Sequence, residues 1–134
     1  MKYLLDTNIC IYLLNGNESL KKRVREIGVF SISISNVTLA ELYFGAYNSK
    51  KVDKNLQRIN LFKKNLAVYS DSDESAEAFG QFKSRSRSEG KIIDDFDILI
   101  ASIAFTNNCV LVTNNPNHFE RIEGLQIENW MKTK

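Results

Sequence analysis

Short apolar runs alternate with helix-like segments along the whole chain, and nothing between consecutive runs reads as a hairpin. Residues 3–6, 29–35, 67–70, 109–113 and 125–127 carry strand patterns, the clearest being the strict alternation Val-Phe-Ser-Ile-Ser-Ile-Ser at 29–35. Between them, residues 9–13, 19–27, 37–47, 52–66, the stretch from Asp71 towards Gly90, and 97–106 space their apolar side chains for helices. No Asn-Gly or Asp-Gly pair joins two strand runs, so consecutive strands need long crossovers. The pattern predicts a three-layer α/β/α fold with a central parallel sheet of about five strands. The segment 97–106 is apolar nearly all round and is expected to be a buried helix. A length of 134 residues predicts one domain over 1–134.

Composition removes several function classes. Two cysteines and one histidine exclude a disulfide framework and a Cys/His zinc set. No apolar run approaches a membrane span. Asp6 and Asn8 interrupt the opening Met1-Lys2-Tyr3-Leu4-Leu5, and no small-residue cleavage site follows, so a signal peptide is not expected and a cytoplasmic location is. A net charge of +2 is too small for nucleic-acid binding by bulk charge. The cations are clustered, however: Lys21, Lys22, Arg23 and Arg25; Lys50, Lys51, Lys54, Arg58, Lys63 and Lys64; and Lys83, Arg85, Arg87 and Lys91. Each cluster alone reads as a solvated helix face, but three together leave room for a polyanionic substrate.

In a parallel sheet, ligands sit beyond the carboxyl ends of the strands. The polar residues there are Asp6, Thr7 and Asn8; Ser35 and Asn36; and Thr113, Asn114 and Asn115. Glu41 is the only charge in residues 37–46; it is either turned to solvent or paired or metal-bound. Asp94, Asp95 and Asp97 precede Ile98-Leu99-Ile100-Ala101, where one acid suffices as a helix cap. Asp6 could likewise be only a cap. If Asp6, Glu41 and Asp97 meet, each pair ~4 Å apart costs about 4 kcal/mol at an effective dielectric near 20. A retained proton or a cation must relieve that repulsion. All-oxygen donors point to Mg²⁺ or Mn²⁺, ions that act on phosphodiesters. Other chemistries lack their motifs. No G-x-G-x-x-G or G-x-S-x-G occurs, and Gly90-Lys91 lacks the upstream glycine of a P-loop because Arg85 stands there. His118 has no cysteine nearby and reads as a structural or surface residue.

Four motifs occur in order: Tyr-Leu-Leu-Asp-Thr-Asn at 3–8, Ser-Asn-Val-Thr-Leu-Ala-Glu-Leu at 35–42, Gly-Lys-Ile-Ile-Asp-Asp-Phe-Asp-Ile-Leu-Ile-Ala at 90–101, and Leu-Val-Thr-Asn-Asn at 111–115 followed by His118-Phe119. With Gly124-Leu125 and Glu128-Asn129-Trp130, they make the chain, from Lys2 to Trp130, resemble the PIN-domain ribonucleases, and within them the VapC-type toxins of bacterial toxin–antitoxin pairs. The resemblance implies that Asp6, Glu41 and Asp97 bind Mg²⁺, for which Mn²⁺ can substitute, and that the activity is hydrolysis of structured RNA, often tRNA. It places Asn115 where many members carry a fourth acid, so Asn115 is a candidate catalytic residue and the metal number is open. It makes Thr7, Asn8, Thr113 and Asp95 supporting hydrogen-bonding residues, and Lys83, Arg85, Arg87 and Lys91 candidates for tracking RNA. It implies a cognate antitoxin seated in apolar grooves, with Ile9, Tyr12, Leu13, Leu42 and Tyr43 as candidates, and a homodimer. Asn115 also motivates an alternative, a non-catalytic PIN-like module binding RNA or protein. A phosphoacceptor domain would need a lysine after a late strand, where Asn114 and Asn115 stand.

Overall fold

Leu4 and Leu5 are both fully buried, so the first strand is covered on both faces and belongs inside a sheet. The computed structural model, which describes residues 1–120 and 122–131, places that strand at the centre. In chain order the elements are β1 (Lys2–Leu5), α1 (Thr7–Leu14), α2 (Glu18–Ile27), β2 (Ile32–Ser35), α3 (Asn36–Tyr47), α4 (Val52–Lys63), β3 (Ala67–Tyr69), α5 (Asp73–Ser88), α6 (Asp95–Thr106), β4 (Cys109–Val112) and β5 (Ile127–Glu128). Short 3-10 turns occupy Val29–Ser31 and Pro116–His118. The sheet order is β3-β2-β1-β4-β5, with every neighbouring pair parallel.

Alternation along β1 sends Leu4 and Leu5 to opposite faces. Leu5 packs with Ile9, Leu20, Leu42 and Ile59, so α1 to α4 cover its side. Leu4 packs with Ile100, Ile103 and Phe119, with Phe82 of α5 against them, so α5 and α6 cover the other. The chain builds outward from β1 to β3 and then crosses back past β1 to β4. That reversal opens a crevice beyond the carboxyl ends of β1 and β4. Local sequence sets the helix starts at its rim: Ser35 accepts from Thr38 N–H, Ser72 and Ser75 cap α5 reciprocally, and Asp94 accepts from Phe96 N–H.

Three segments differ from the sequence reading. The alternating run 29–35 is strand only from Ile32; Gly28, at φ 96°, turns the chain and leaves Phe30 almost wholly exposed. The serines of β2 do not face water either. Ser33 donates to Tyr3 C=O and Ser35 serves as the α3 cap, so all four strand residues are buried. The last strand lies at Ile127–Glu128 rather than 125–127, because Gly124 and a turn from Leu125 N–H to Ile122 C=O delay its entry. The fourth helix stops at Lys63, three residues before Leu66. Cys10 and Cys109 are both buried free thiols. Among the described residues no helix is long and apolar enough to cross a membrane.

Candidate active site

Asp6 follows β1 directly, where the backbone must turn from strand into helix. Its side chain caps α1, accepting Ile9 N–H at 3.0 Å, and is 6% exposed. The Thr113 hydroxyl, at the end of the adjacent β4, also bonds to it, as does the backbone of Asn8. Burial raises the Asp6 carboxyl above its ordinary value, and the charge of Glu41 adds to the rise, against the pull of these hydrogen bonds. The capping role therefore does not exclude the site role.

Glu41 lies in the second turn of α3, half-buried, and does not point freely to solvent. Its Oε1 accepts the Thr7 hydroxyl at 2.6 Å, and Thr7 in turn contacts the Thr38 hydroxyl at 3.0 Å. Asp97, third residue of α6, is raised by desolvation first, then by the charges of Asp94 and Asp6. His118 opposes that rise, its Nδ1 lying 3.7 Å from Asp97 Oδ2, an ion-pair distance too long for a hydrogen bond. Asp6 is thus electrostatically coupled to Glu41 on one side and to Asp97 on the other.

The three acids at the start of α6 have separate tasks. Asp94 caps, Asp97 faces Asp6, and Asp95 forms a 3.0 Å ion pair with Lys83. Asp95, expected to support the acids, is therefore turned towards α5. Asn8 is exposed, and its backbone rather than its side chain serves Asp6. Asn115 is exposed too, with its N–H held by Thr113 Oγ1 at 3.0 Å. Lys83, Arg87 and Lys91 line one cavity of about 240 Å³; Arg85 pairs with Glu123 on another and shares a small third one with Lys91 and His118. Lys91 also donates to Asn117 C=O, beside His118.

Of the expected groove residues, Leu42 lines a cavity between α1, α3 and α4. Ile9 is fully buried in the core, and Tyr12, Leu13 and Tyr43 do not line the cavity between α1, α3 and α4. That cavity, about 270 Å³, is lined by Ile11, Leu14, Leu42, Ala46 and Ile59 together with the polar side chains of Glu41, Asn55 and Arg58.

Sequence reasoning passed over Thr38, set His118 aside as a structural or surface residue, and named Asn114 only among the polar residues at a strand end. Thr38 sits three positions before Glu41 and so shares its helix face, a legible signal. His118 is five residues beyond Thr113, reached only because the turn at Pro116 folds back. Asn114 has a buried side-chain oxygen with no hydrogen-bond partner among the described residues.

The donors suit a hard cation. They are oxygen atoms, two of the carboxyls are held above their ordinary range by burial and mutual repulsion, and Asn114 offers another acceptor. Among the described residues no group of three or more Asp, Glu, His or Cys side chains stands close enough together to hold a metal ion. An ion such as Mg²⁺, which keeps several of its waters and takes one or two carboxylates, does not require one.

Residues 3–125 match the PIN domain family. Ribonuclease VapC2 of Rickettsia felis is 37% identical over 134 residues, covering 98% of this chain and 100% of that protein. The chain belongs to the PIN-domain family, among its VapC ribonucleases. Another VapC relative, the tRNA(fMet)-specific endonuclease VapC of Shigella flexneri, is 33% identical, covering 97% of this chain and 98% of its own. Two solved structures share the VapC fold closely. VapBC2 from Rickettsia felis bound to a promoter DNA fragment superposes with a TM-score of 0.91 at 36% identity, covering 97% of this chain and 99% of that one. DNA-bound VapBC from Salmonella typhimurium gives 0.90 at 34%, covering 97% and 98%.

Proposed function

We propose that the chain is a Mg²⁺-dependent endoribonuclease, the toxin of a toxin–antitoxin pair, acting on structured RNA such as tRNA. The observation that carries this reading is that Asp6, held by Ile9 N–H and Thr113 beyond β1, feels the charge of Glu41 from α3 and in turn raises Asp97 of α6. Asp6 and Asp97 would hold the ion, with Glu41 direct or through water; Mn²⁺ would serve as well. The bound ion supplies an acidified water and neutralises charge at the phosphate. The remaining work belongs to the chain. Thr113 and Ile9 N–H orient Asp6, Thr7 orients Glu41, and the exposed Asn115 amide would meet the scissile phosphate. Lys83, Arg87 and Lys91 offer a basic run for the RNA backbone.

The partner follows from the relatives, two of which are seen as VapBC assemblies. A cognate antitoxin would place an apolar segment in the groove of Leu42, Ala46 and Ile59 and so reach the edge where Glu41 lies. A second copy of the chain is the other expected partner, with exposed Phe44, Tyr47 and Ile92 as apolar surface for it. The cytosol, where RNA and antitoxin are found, is the expected location.

Purified tRNA and ribosomal RNA should give discrete fragments with Mg²⁺, none with EDTA, and none with Asp97→Asn. Fragments that persist with EDTA or in the variant would overturn the site assignment. No cleavage by any protein, with no Mn²⁺ binding below millimolar, would favour the non-catalytic module.

A further inference from the structure

Thr38 is fully buried in the first turn of α3, yet it carries a hydroxyl that needs a partner. Its Oγ1 lies 3.0 Å from Thr7 Oγ1, and Thr7 Oγ1 lies 2.6 Å from Glu41 Oε1. A threonine has a single hydroxyl proton. An ionised carboxylate only accepts, and 2.6 Å is within the range of a charge-assisted O–H···O⁻ bond. The Thr7 proton is therefore committed to Glu41. The Thr38–Thr7 contact can then have only one polarity, with Thr38 donating to Thr7. The three residues form a directed chain, Thr38 to Thr7 to Glu41, running from the buried helix start to the acid at the crevice.

We infer that Thr38 is a positioning residue for the site, acting on Glu41 through Thr7. This deepens the metal-dependent reading and rests on it. The hydroxyl chain occupies one oxygen of Glu41 and leaves the other as the oxygen available to a hydrated cation. It spans two elements, because Thr7 opens α1 and Thr38 and Glu41 lie on α3. Moving either helix would break it, so the chain ties the setting of Glu41 to that of the β1–α1 turn, where Asp6 sits. Hydrogen bonds in series polarise one another, so loss of the buried donor weakens the bond that reaches the carboxylate.

The test uses the full chain, metal-free and with Mn²⁺. Thr38→Val removes the donor but keeps the shape; Thr38→Ser keeps the donor. Mn²⁺ affinity by calorimetry should fall about 3- to 10-fold in Thr38→Val, less than the 10- to 100-fold typical of a direct partner of a metal ligand. It should stay within twofold of wild type in Thr38→Ser. The decisive comparison is the Thr7→Val background, in which Thr38→Val should cost nothing further in affinity, since the path to Glu41 is already cut. A purely structural role for Thr38 would instead leave the two effects additive. Metal-free protein gives a second readout by NMR: the Thr7 hydroxyl proton resonance should shift in Thr38→Val and return in Thr38→Ser. Unchanged affinity and an unshifted hydroxyl proton in Thr38→Val would overturn the inference. Wild-type protein that binds no Mn²⁺ would overturn the metal reading instead, and the hydroxyl spectrum would still decide the connection of Thr38 to Glu41.

Discussion

The two sides of the acid crevice are held in different ways. On the β1 side, Asp6 is 6% exposed and fixed by Ile9 N–H and the Thr113 hydroxyl, and Glu41 is held by Thr7. On the α6 side, the Asp97 side chain keeps 35% of its surface, and its nearest counter-charge is His118 at 3.7 Å, itself half-exposed in a short turn. One side is pre-set by buried hydrogen bonds; the other is free to adjust. Metal sites commonly divide this way, with fixed donors that set position and a looser side that admits the substrate. The α6 side is also the one nearest the basic cavity, through Lys91 and Asn117.

The sharpest way to break this comparison is to neutralise one acid on each side. Asp6→Asn and Asp97→Asn should each lower cleavage at least about 100-fold, the equivalent of roughly 3 kcal/mol of barrier. Asn is a good helix cap and carries no buried charge, so Asp6→Asn should keep or raise the melting temperature of the metal-free protein at neutral pH. Near-normal activity in either variant would show that its side of the crevice is not part of the reaction.

The second effect is on stability against pH. Both carboxyls are raised above 3.8 in the fold, so across that window the folded protein binds more protons than the unfolded chain. Stability must then fall as pH rises from about 4 through the raised values, and the penalty stays in full above them. Denaturant unfolding of metal-free protein between about pH 4 and 7.5 should show this decline, and an Asp6→Asn, Asp97→Asn double variant should flatten it. Saturating Mg²⁺ should offset the penalty in the wild type by mass action. A wild-type profile parallel to that of the double variant would remove the electrostatic argument for a cation.

The supporting residues test the fixed side against the adjustable one directly. Thr113→Val should cost about 10-fold in cleavage, because the hydroxyl it removes bonds to Asp6. His118→Ala should cost only about 2- to 5-fold, since a half-exposed pair at 3.7 Å is worth under about 1 kcal/mol. The reverse order would mean that the α6 side is the more demanding of the two.

The smallest effect concerns RNA affinity. Arg87→Ala should weaken binding severalfold and reduce the salt slope by about one, while Arg85→Ala should leave both unchanged because Arg85 faces Glu123. Equal effects would place the RNA path across both faces of α5.

How far the site could be read in advance depends on how local each signal is. Asp6 stands directly after a strand and Asp97 in the first turn of a buried helix, so residue type and position were enough to nominate them. Glu41 stood out as a lone charge, but whether it faced solvent was open until α3 was seen against α1. Asp97 was set apart from Asp94 and Asp95 by resemblance, but that Asp94 caps and Asp95 turns to Lys83 was not legible. Successive helical residues point about 100° apart, and which direction meets another acid depends on what lies across the crevice. His118 was set aside because its approach to Asp97 depends on the turn at Pro116. Among the groove candidates Ile9 belongs to the core, because helical spacing marks apolar faces without saying which residues the core absorbs.

The amino-acid sequence by itself determined the alternating elements, the parallel character of the sheet, the helix caps and the pool of acids from which a site could be drawn. Periodicity, turn chemistry and crossover length act over a few residues, and they are written locally. Tertiary structure alone decided that β4 lies beside β1, that Asp97 therefore faces Asp6, and that Thr38 reaches Glu41 through Thr7. Those outcomes follow from burying β1 on both faces and turning the chain back across it. They depend on distances of a few ångströms between segments dozens of residues apart, which no local pattern specifies.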